Sequence, residues 1–251
     1  MTGETLLSLD RATKRFGGIT ALDGLSFNVT QGEIVGVIGP NGAGKTTLFN
    51  VITGAYTLTS GTISYRGQSI GGLRPHRIAG MGIARTFQNI RLFASMTVWE
   101  HLLVAQPRGN GWSHLLPAAM GDKAARRRAE EVLTFFGLED LRNRDAATLP
   151  YGLQRRVEMA RALTAGPRLL LLDEPVAGMN ADEAEELKSL LVALRDQMGL
   201  TILLIEHDMS FVMTLCEYLF VLDFGSKIGE GTPTVVRRDP KVLSAYLGDD
   251  E

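Results

Sequence analysis

Apolar and polar residues alternate near the start of the chain, with Leu25, Phe27 and Val29 on one face and Ser26, Asn28 and Thr30 on the other, before a turn at Gln31-Gly32. A period of two belongs to a half-buried strand, so the first roughly 30 residues are expected to pair as antiparallel strands. The pattern then changes. Ile34–Ile38, Leu169–Leu172 and Ile202–Ile205 are short, nearly all-apolar runs of the kind covered on both faces, and they predict parallel central strands. Between Ala181 and Met198 the residues Leu187, Leu190, Leu191, Leu194 and Met198 recur at helical spacing. That makes a crossover helix between two of those strands, a βαβ unit. The stretch 87–165 carries helical segments around Val98–Ala105 and Lys123–Phe136, joined by a loop over Pro107–Gly121 whose Gly109–Gly111 part is expected to be the most mobile. The expected fold is α/β. Residues 1–86 and 166–251 form a core with a mostly parallel central sheet and an N-terminal antiparallel β part, and 87–165 is an inserted α-helical subdomain. After Asp223 a strand pair and a short helix are expected.

Composition narrows the classes. The 251 residues, 45% hydrophobic and 22% charged, can bury one sizeable core with an inserted lobe. A formal net charge of -2 argues against a chain built to coat nucleic acid, and the basic run Arg126, Arg127, Arg128 is read as a solvated helix face. The single cysteine, Cys216, lies in an apolar run with Phe211, Val212 and Leu215; it is read as a core thiol, consistent with a reducing compartment. No apolar stretch approaches the ~18 residues needed to cross a bilayer, and the N-terminal segment lacks the basic-then-apolar order of a signal peptide. A soluble chain is expected, with any membrane role supplied by a partner.

Gly39-Pro40-Asn41-Gly42-Ala43-Gly44-Lys45-Thr46 fits the phosphate-loop pattern GxxxxGK followed by Ser or Thr. It comes directly after the strand Ile34–Ile38 and opens a helix expected over Thr46–Ile52, the context the chemistry requires. Glycines let successive N–H groups turn inward around phosphates, and the helix N-terminus adds a favourable dipole. Lys45 can reach the β- and γ-phosphates and the Thr46 hydroxyl can ligate Mg²⁺, with Thr47 beside it. A P-loop NTPase core that binds ATP is the expectation. The run Leu169–Leu172 ends in Asp173 and Glu174, two carboxylates at the mouth of a buried strand. Asp173 can hold Mg²⁺ through water, and Glu174 can orient and deprotonate an attacking water. His207 follows the strand Thr201–Glu206 and reaches the same sheet edge, where it can hydrogen-bond a γ-phosphate. His76, His101 and His114 have no such position and are read as satisfied surface or core residues.

With these residues assembled, the chain resembles the ATP-binding cassette family over nearly its whole length. The resemblance places Phe16 where an aromatic stacks on adenine, and Gln88, in Arg85-Thr86-Phe87-Gln88, where a glutamine senses Mg²⁺ and the membrane partner. Leu149-Pro150-Tyr151-Gly152-Leu153, followed by Gln154-Arg155-Arg156 and a helix through Ala162, occupies the place of the family signature LSGGQ. What this implies is ATP hydrolysis coupled to transport, with Glu174, His207 and Lys45 catalytic. It also implies two cassettes joined head to tail, so that Gly152 serves the nucleotide held by the opposing subunit. The implied partners are integral membrane permease subunits, a second cassette of the same or different sequence and, indirectly, a periplasmic or extracellular substrate-binding protein. The implied location is cytoplasmic, peripheral on the inner face of the cell membrane. Gln88–Phe93, with Ile90, Leu92 and Phe93, is expected either to dock the permease or to pack between the lobes.

The departures from the family pattern fall on the elements that act in trans. Pro150 stands for the signature serine, Tyr151 for its first glycine and Leu153 for its glutamine, while Asn180 in Ala177-Gly178-Met179-Asn180 stands for the usual aspartate. Pro150 offers neither a hydroxyl nor an N–H, and unless Gly152 and a helix expected to begin near Leu153 compensate, this favours a mixed dimer with a more standard cassette. The wording of Leu149–Gly152, Glu174–Asn180 and Ile205–Met209 most resembles the ATP-binding subunit of branched-chain amino acid importers; related cassettes serve urea, amides and lipopolysaccharide export. Two other functions share parts of the pattern. A soluble cassette ATPase acting on DNA or ribosomes would carry long coiled-coil or metal-hook insertions or a tandem cassette, and a small-molecule kinase has no need of Gln88, the signature or His207.

Overall fold

The computed structural model describes residues 3–86, 90–105 and 123–247. The strands are β1 (Thr5–Phe16), β2 (Ile19–Thr30), β3 (Ile34–Ile38), β4 (Ser60–Tyr65), β5 (Gln68–Ser69), β6 (Ile83–Arg85), β7 (Leu169–Asp173), β8 (Thr201–Ile205), β9 (Tyr218–Asp223) and β10 (Ser226–Gly231). The helices are α1 (Lys45–Ile52), α2 (Pro75–Gly80), α3 (Val98–Val104), α4 (Lys123–Phe135), α5 (Tyr151–Thr164), α6 (Ala181–Met198), α7 (Met209–Leu215), α8 (Pro233–Val236) and α9 (Pro240–Leu247). Gln88, His114 and the loop expected over Pro107–Gly121 lie outside the described residues.

Two sheets face each other. One is antiparallel, in the order β2-β1-β4-β5, and the other runs β10-β9-β3-β8-β7-β6 with only β10 antiparallel to its neighbour. The all-apolar runs have a simple cause. Every residue of β3, β7 and β8 is buried, and successive side chains enter two different cores. Val35, Val37, Leu169, Leu171, Leu203 and Ile205 pack toward the antiparallel sheet and α1. Ile34, Ile38, Leu170, Leu172, Ile202 and Leu204 pack against the helices on the other face. A strand with one face in each core has no position left for a polar residue until it reaches the sheet edge.

Leu187, Leu191 and Leu194 of α6 are buried against this sheet, whereas Met198, expected on the same face, is exposed where the helix runs out at Gly199. Two boundaries differ from expectation. α5 begins at Tyr151 rather than near Leu153, because Pro150, in an extended conformation (ψ 151°), serves as the N-cap and needs no N–H there. Beyond β10 the chain forms two short helices, α8 and α9, instead of one, each opened by a proline at Pro233 and Pro240. Cys216 is buried, and desolvation raises its thiol pKa, as a core thiol requires. Arg126, Arg127 and Arg128 are exposed on α4.

His101 of α3 is fully buried with both ring nitrogens engaged. Nδ1 lies 2.9 Å from the Thr97 carbonyl and Nε2 accepts the Phe93 N–H at 2.9 Å, which fixes the neutral Nδ1–H tautomer. Burial is the main cause that lowers its pKa; Arg161 adds to the shift, while Thr97 and Glu100 oppose it. The unfolded imidazole takes up a proton near pH 6.5, the folded one only at lower pH. Its contribution to stability is therefore fully present above about pH 6.5 and is lost as pH falls below it. Thermal melting between pH 7.5 and 5.5 should show this loss, and a His101→Gln variant should melt with a flatter pH dependence over that range.

Candidate functional site

The parallel register brings the carboxyl ends of the central strands level. Ile205 lies beside Val37 on one side and Asp173 on the other, so the chain leaves β3, β7 and β8 at one edge carrying Gly39, Glu174 and Glu206-His207. Gly39 (φ 148°), Gly42 (φ 81°) and Gly44 (φ 98°) all take backbone conformations open to glycine. A Cβ on Gly39 would lie 2.0 Å from the Leu222 carbonyl oxygen, and one on Gly44 2.3 Å from that of Ala21; at Gly42 nothing lies within 4 Å. The outer glycines answer to packing, and the middle one faces the cleft. The Ala21 carbonyl is also 2.8 Å from where a Gly225 Cβ would sit. Gly225, in the turn between β9 and β10, gives its N–H to Ala43 O (3.0 Å) and receives that of Asp23 (2.9 Å). The phosphate loop is thus stitched to the turn between β9 and β10, and through it to β2.

Asn41, Gly42, Ala43, Gly44, Lys45, Thr46 and Thr47 meet Glu174 and His207 in a cleft of about 220 Å³. Lys45 Nζ donates to Gly39 O (2.6 Å) and Pro40 O (2.8 Å), so two of its three donors brace the loop. Burial lowers its pKa, and the charges of Glu174 and Asp173 oppose that shift. Phe16, 40% exposed at the end of β1, packs edge-on against Tyr56 (centroids 5.1 Å apart), with Lys14 Nζ 4.8 Å from its centroid. It lies outside the residues that line the cleft and offers a planar apolar face.

The carboxylates are held by groups the sequence did not mark. Arg85, at the end of β6, reaches Asp173 Oδ2 with Nη2 and Asn50 Oδ1 of α1 with Nη1, both at 2.7 Å. Glu174 sits in the left-handed region (φ 48°), where a residue with a Cβ must be held. Its N–H bonds Ile205 O (2.9 Å), its carbonyl accepts from Arg155 Nη2 (3.2 Å), and its Oε1 lies 2.9 Å from His207 Nε2. His207, expected on a γ-phosphate, here engages Glu174. Buried Glu206 accepts the N–H groups of Val176 (2.9 Å), His207 (2.9 Å) and Asp208 (3.3 Å) and so ties the loops after β7 and β8 together. Desolvation raises its pKa against the pull of those amides. Glu206 ends an apolar strand just as Asp173-Glu174 does, and that position was its signal.

Residues 22–177 match the family model described as ABC transporter, and residues 226–251 match one described as branched-chain amino acid ATP-binding cassette transporter. The chain belongs to the ABC transporter family. It is an ATP-binding cassette that hydrolyses ATP, with the α/β architecture and helical insertion expected of that fold. It is 44% identical over 251 residues to the high-affinity branched-chain amino acid transport ATP-binding protein BraF of Pseudomonas aeruginosa, covering 97% of this chain and 98% of that one. It is 45% identical over 252 residues to the corresponding LivG of Escherichia coli K12, covering 98% and 99%. To the lipopolysaccharide export system ATP-binding protein LptB of the same organism it is 34% identical, covering 97% and 98%. Among solved structures, the ADP conformation of an ATP-binding cassette of an ABC transporter superposes with a TM-score of 0.87 at 33% identity, covering 98% of this chain and 99% of that one. The kinase alternative falls away.

In this cassette Gly152 is not among the residues that line the phosphate-loop cleft. It lines a second cleft of about 230 Å³ with Pro150, Leu153, Arg156, Met179 and Glu183. The first hydrogen bond within α5 runs from Gln154 N–H to Pro150 O (3.0 Å), so the amides of Tyr151, Gly152 and Leu153 precede it. Asn180 caps α6: its Oδ1 accepts the Glu183 N–H (2.9 Å) while Glu183 Oε2 accepts its own (3.0 Å). Asparagine caps as well as the aspartate it replaces.

Among the described residues, no group of three or more His, Cys, Asp or Glu side chains could hold a metal. Thr46 lines the cleft with a hydroxyl, and Asp173, just before the cleft-lining Glu174 and with Oδ2 on Arg85, offers a carboxylate, so that phosphate and water would have to complete the shell. That sparse, hard set suits Mg²⁺, which keeps several waters and takes few protein ligands. Also among these residues, no helix is long and apolar enough to cross a membrane.

Proposed function

We propose that this cassette powers the uptake of branched-chain amino acids through membrane permease subunits, seated as a peripheral subunit on their cytoplasmic side. The observation that carries the cargo is the match of residues 226–251, beyond the general ATPase part of the chain, to the branched-chain amino acid cassette family. The 44% identity to BraF over almost the whole length supports it.

The site divides the chemistry among its residues. The loop from Gly39 to Thr47 and Lys45 bind the β- and γ-phosphates, and Phe16 offers its ring to adenine. Thr46 and Asp173 would hold Mg²⁺, which would neutralise charge on the phosphates, and Gln88 would complete that set by resemblance. Glu174 orients the attacking water and takes its proton, and His207 fixes the Glu174 carboxylate. Gly152 serves a nucleotide on a second cassette. The amides of Tyr151, Gly152 and Leu153 supply donors that Pro150 lacks, so the case for a partner of different sequence rests on the missing hydroxyl. A periplasmic or extracellular binding protein delivers the cargo, and nucleic acid has no part.

Purified with its permeases and reconstituted in vesicles, the complex should take up leucine, isoleucine or valine only when Mg-ATP is present on the cassette side. Phe93, 53% exposed beyond a backbone pinned by His101, is the apolar group offered to the permease. Phe93→Asp should cut uptake about tenfold or more, the scale of losing an aromatic anchor, while ATP binding stays unchanged. ATP turnover without uptake of any of the three sinks the cargo. A Phe93→Asp chain that does not fold places Phe93 between the lobes instead.

A further inference from the structure

Helix α5 carries an ion pair in its most buried part. Arg155 Nη1 and Glu158 Oε2 are 2.8 Å apart, with side chains 1% and 0% exposed. Isolating two charges from water is costly, and apolar residues of similar volume would hold a helix to a sheet as well. What apolar residues could not do is hold the backbone atoms that this pair contacts. Arg155 Nη2 donates to the Glu174 carbonyl (3.2 Å), and Glu158 Oε1 accepts the Arg91 N–H (3.4 Å). Arg161 closes the circuit, with Nη1 on Arg91 O (2.6 Å) and Nη2 3.9 Å from Glu158 Oε1. One end of this circuit is a left-handed residue, and the other lies two residues before exposed Phe93.

We propose that Arg155 and Glu158 are positioning residues for Glu174, holding its peptide in the conformation that aims the carboxylate into the cleft and tying that conformation to the backbone at Arg91. The proposal rests on the reading of Glu174 as the general base. The φ of Glu174 and the direction of its Cα–Cβ bond are fixed by its two peptide neighbours. The N–H side is set by Ile205 in the sheet, and the carbonyl is shared between the Ala177 N–H of its own turn and Arg155 Nη2, each at 3.2 Å, of which only Arg155 links it to another element. A shift of the segment around Arg91 moves Glu158, then the Arg155 fork, then the Glu174 carbonyl. A displacement of about 1 Å at a catalytic group is enough to slow a reaction strongly. Lysine cannot reproduce the fork, since its point charge lacks the paired planar donors that hold a carboxylate and a carbonyl together.

The test uses the assembled transporter with Mg-ATP and measures single-turnover hydrolysis and Mg-ATP affinity, with melting of the cassette, for Arg155→Lys and Glu158→Gln, each alone and combined with Glu174→Gln. Each variant should slow hydrolysis about tenfold, with affinity within about twofold of the parent. In the Glu174→Gln background neither should cause a further loss, because both act through the same carboxylate. Should Arg155→Lys fail to fold, Glu158→Gln, which keeps size and shape, carries the same comparison. Parental rates, losses that multiply in full with that of Glu174→Gln, or losses that follow weakened Mg-ATP binding overturn the positioning role alone. A parental rate in Glu174→Gln by itself overturns the base assignment, and the positioning role falls with it.

Discussion

Glu174→Gln should bind Mg-ATP as the parent does and hydrolyse it about 10²-fold more slowly or worse, the usual loss for a positioned base. The amide has the shape of the carboxylate and can still meet His207 Nε2, now 2.9 Å from Oε1, so the geometry of the site survives. What disappears is the capacity to accept a proton. The left-handed backbone of Glu174 is unchanged by the substitution, and so are its bonds to Ile205 and Arg155. If the cassettes close head to tail around ATP and separate on hydrolysis, the variant should collect as ATP-locked dimers on size exclusion. Hydrolysis at the parental rate in the assembled transporter would show that another group takes the proton.

The second large effect concerns two glycines of one loop that look alike in the sequence. Gly39→Ala should destabilise the chain by about 3 kcal/mol or more, roughly 10 °C in Tm for a domain of this size. Its Cβ would sit 2.0 Å from Leu222 O, on a strand whose neighbour Val221 pairs with Ile38, so relief requires shifting β3 against β9. Gly42→Ala carries only the left-handed penalty, about 1 kcal/mol, since nothing lies within 4 Å of its Cβ. Its methyl enters the cleft, so it should weaken Mg-ATP binding in a chain that melts almost normally. Melting without nucleotide and equilibrium binding with it separate the two effects. A lower Tm for Gly42→Ala than for Gly39→Ala would contradict this division of labour.

The hydrophobic pattern exposed the fold where burial is two-sided. An unbroken run such as Leu169–Leu172 makes sense only for a strand with a core on each face, and β7 has that place. The site was readable where residues close in sequence act together, as from Gly39 to Thr47 or at Asp173-Glu174. It was unreadable where partners come from far along the chain: Asn50, Arg85 and Asp173 form one partly buried network, and no spacing rule connects them. Arg155 and Glu158 give a weak local signal, opposite charges three apart on a helix, but such pairs are usually solvated. Pro150 misled in another way. A proline read as a break in the signature is also a suitable start for a helix, and α5 starts there. Asn180, read as a departure, turns out to be a helix cap.

The Ala21 carbonyl sits between Gly44 and Gly225, and Gly225 bonds both Ala43 and Asp23. Seen from the ribosome, the phosphate loop is made early and finished late. At roughly 5–20 residues per second, its glycines wait about 10 to 40 s for the β9–β10 turn that clamps them. Until then the loop lacks its outer wall, and β3 lacks β9, so an apolar strand edge stays open during synthesis. Tight capture of nucleotide therefore has to wait until Gly225 has been made, and a chain stalled before β9 keeps one edge of β3 unpaired.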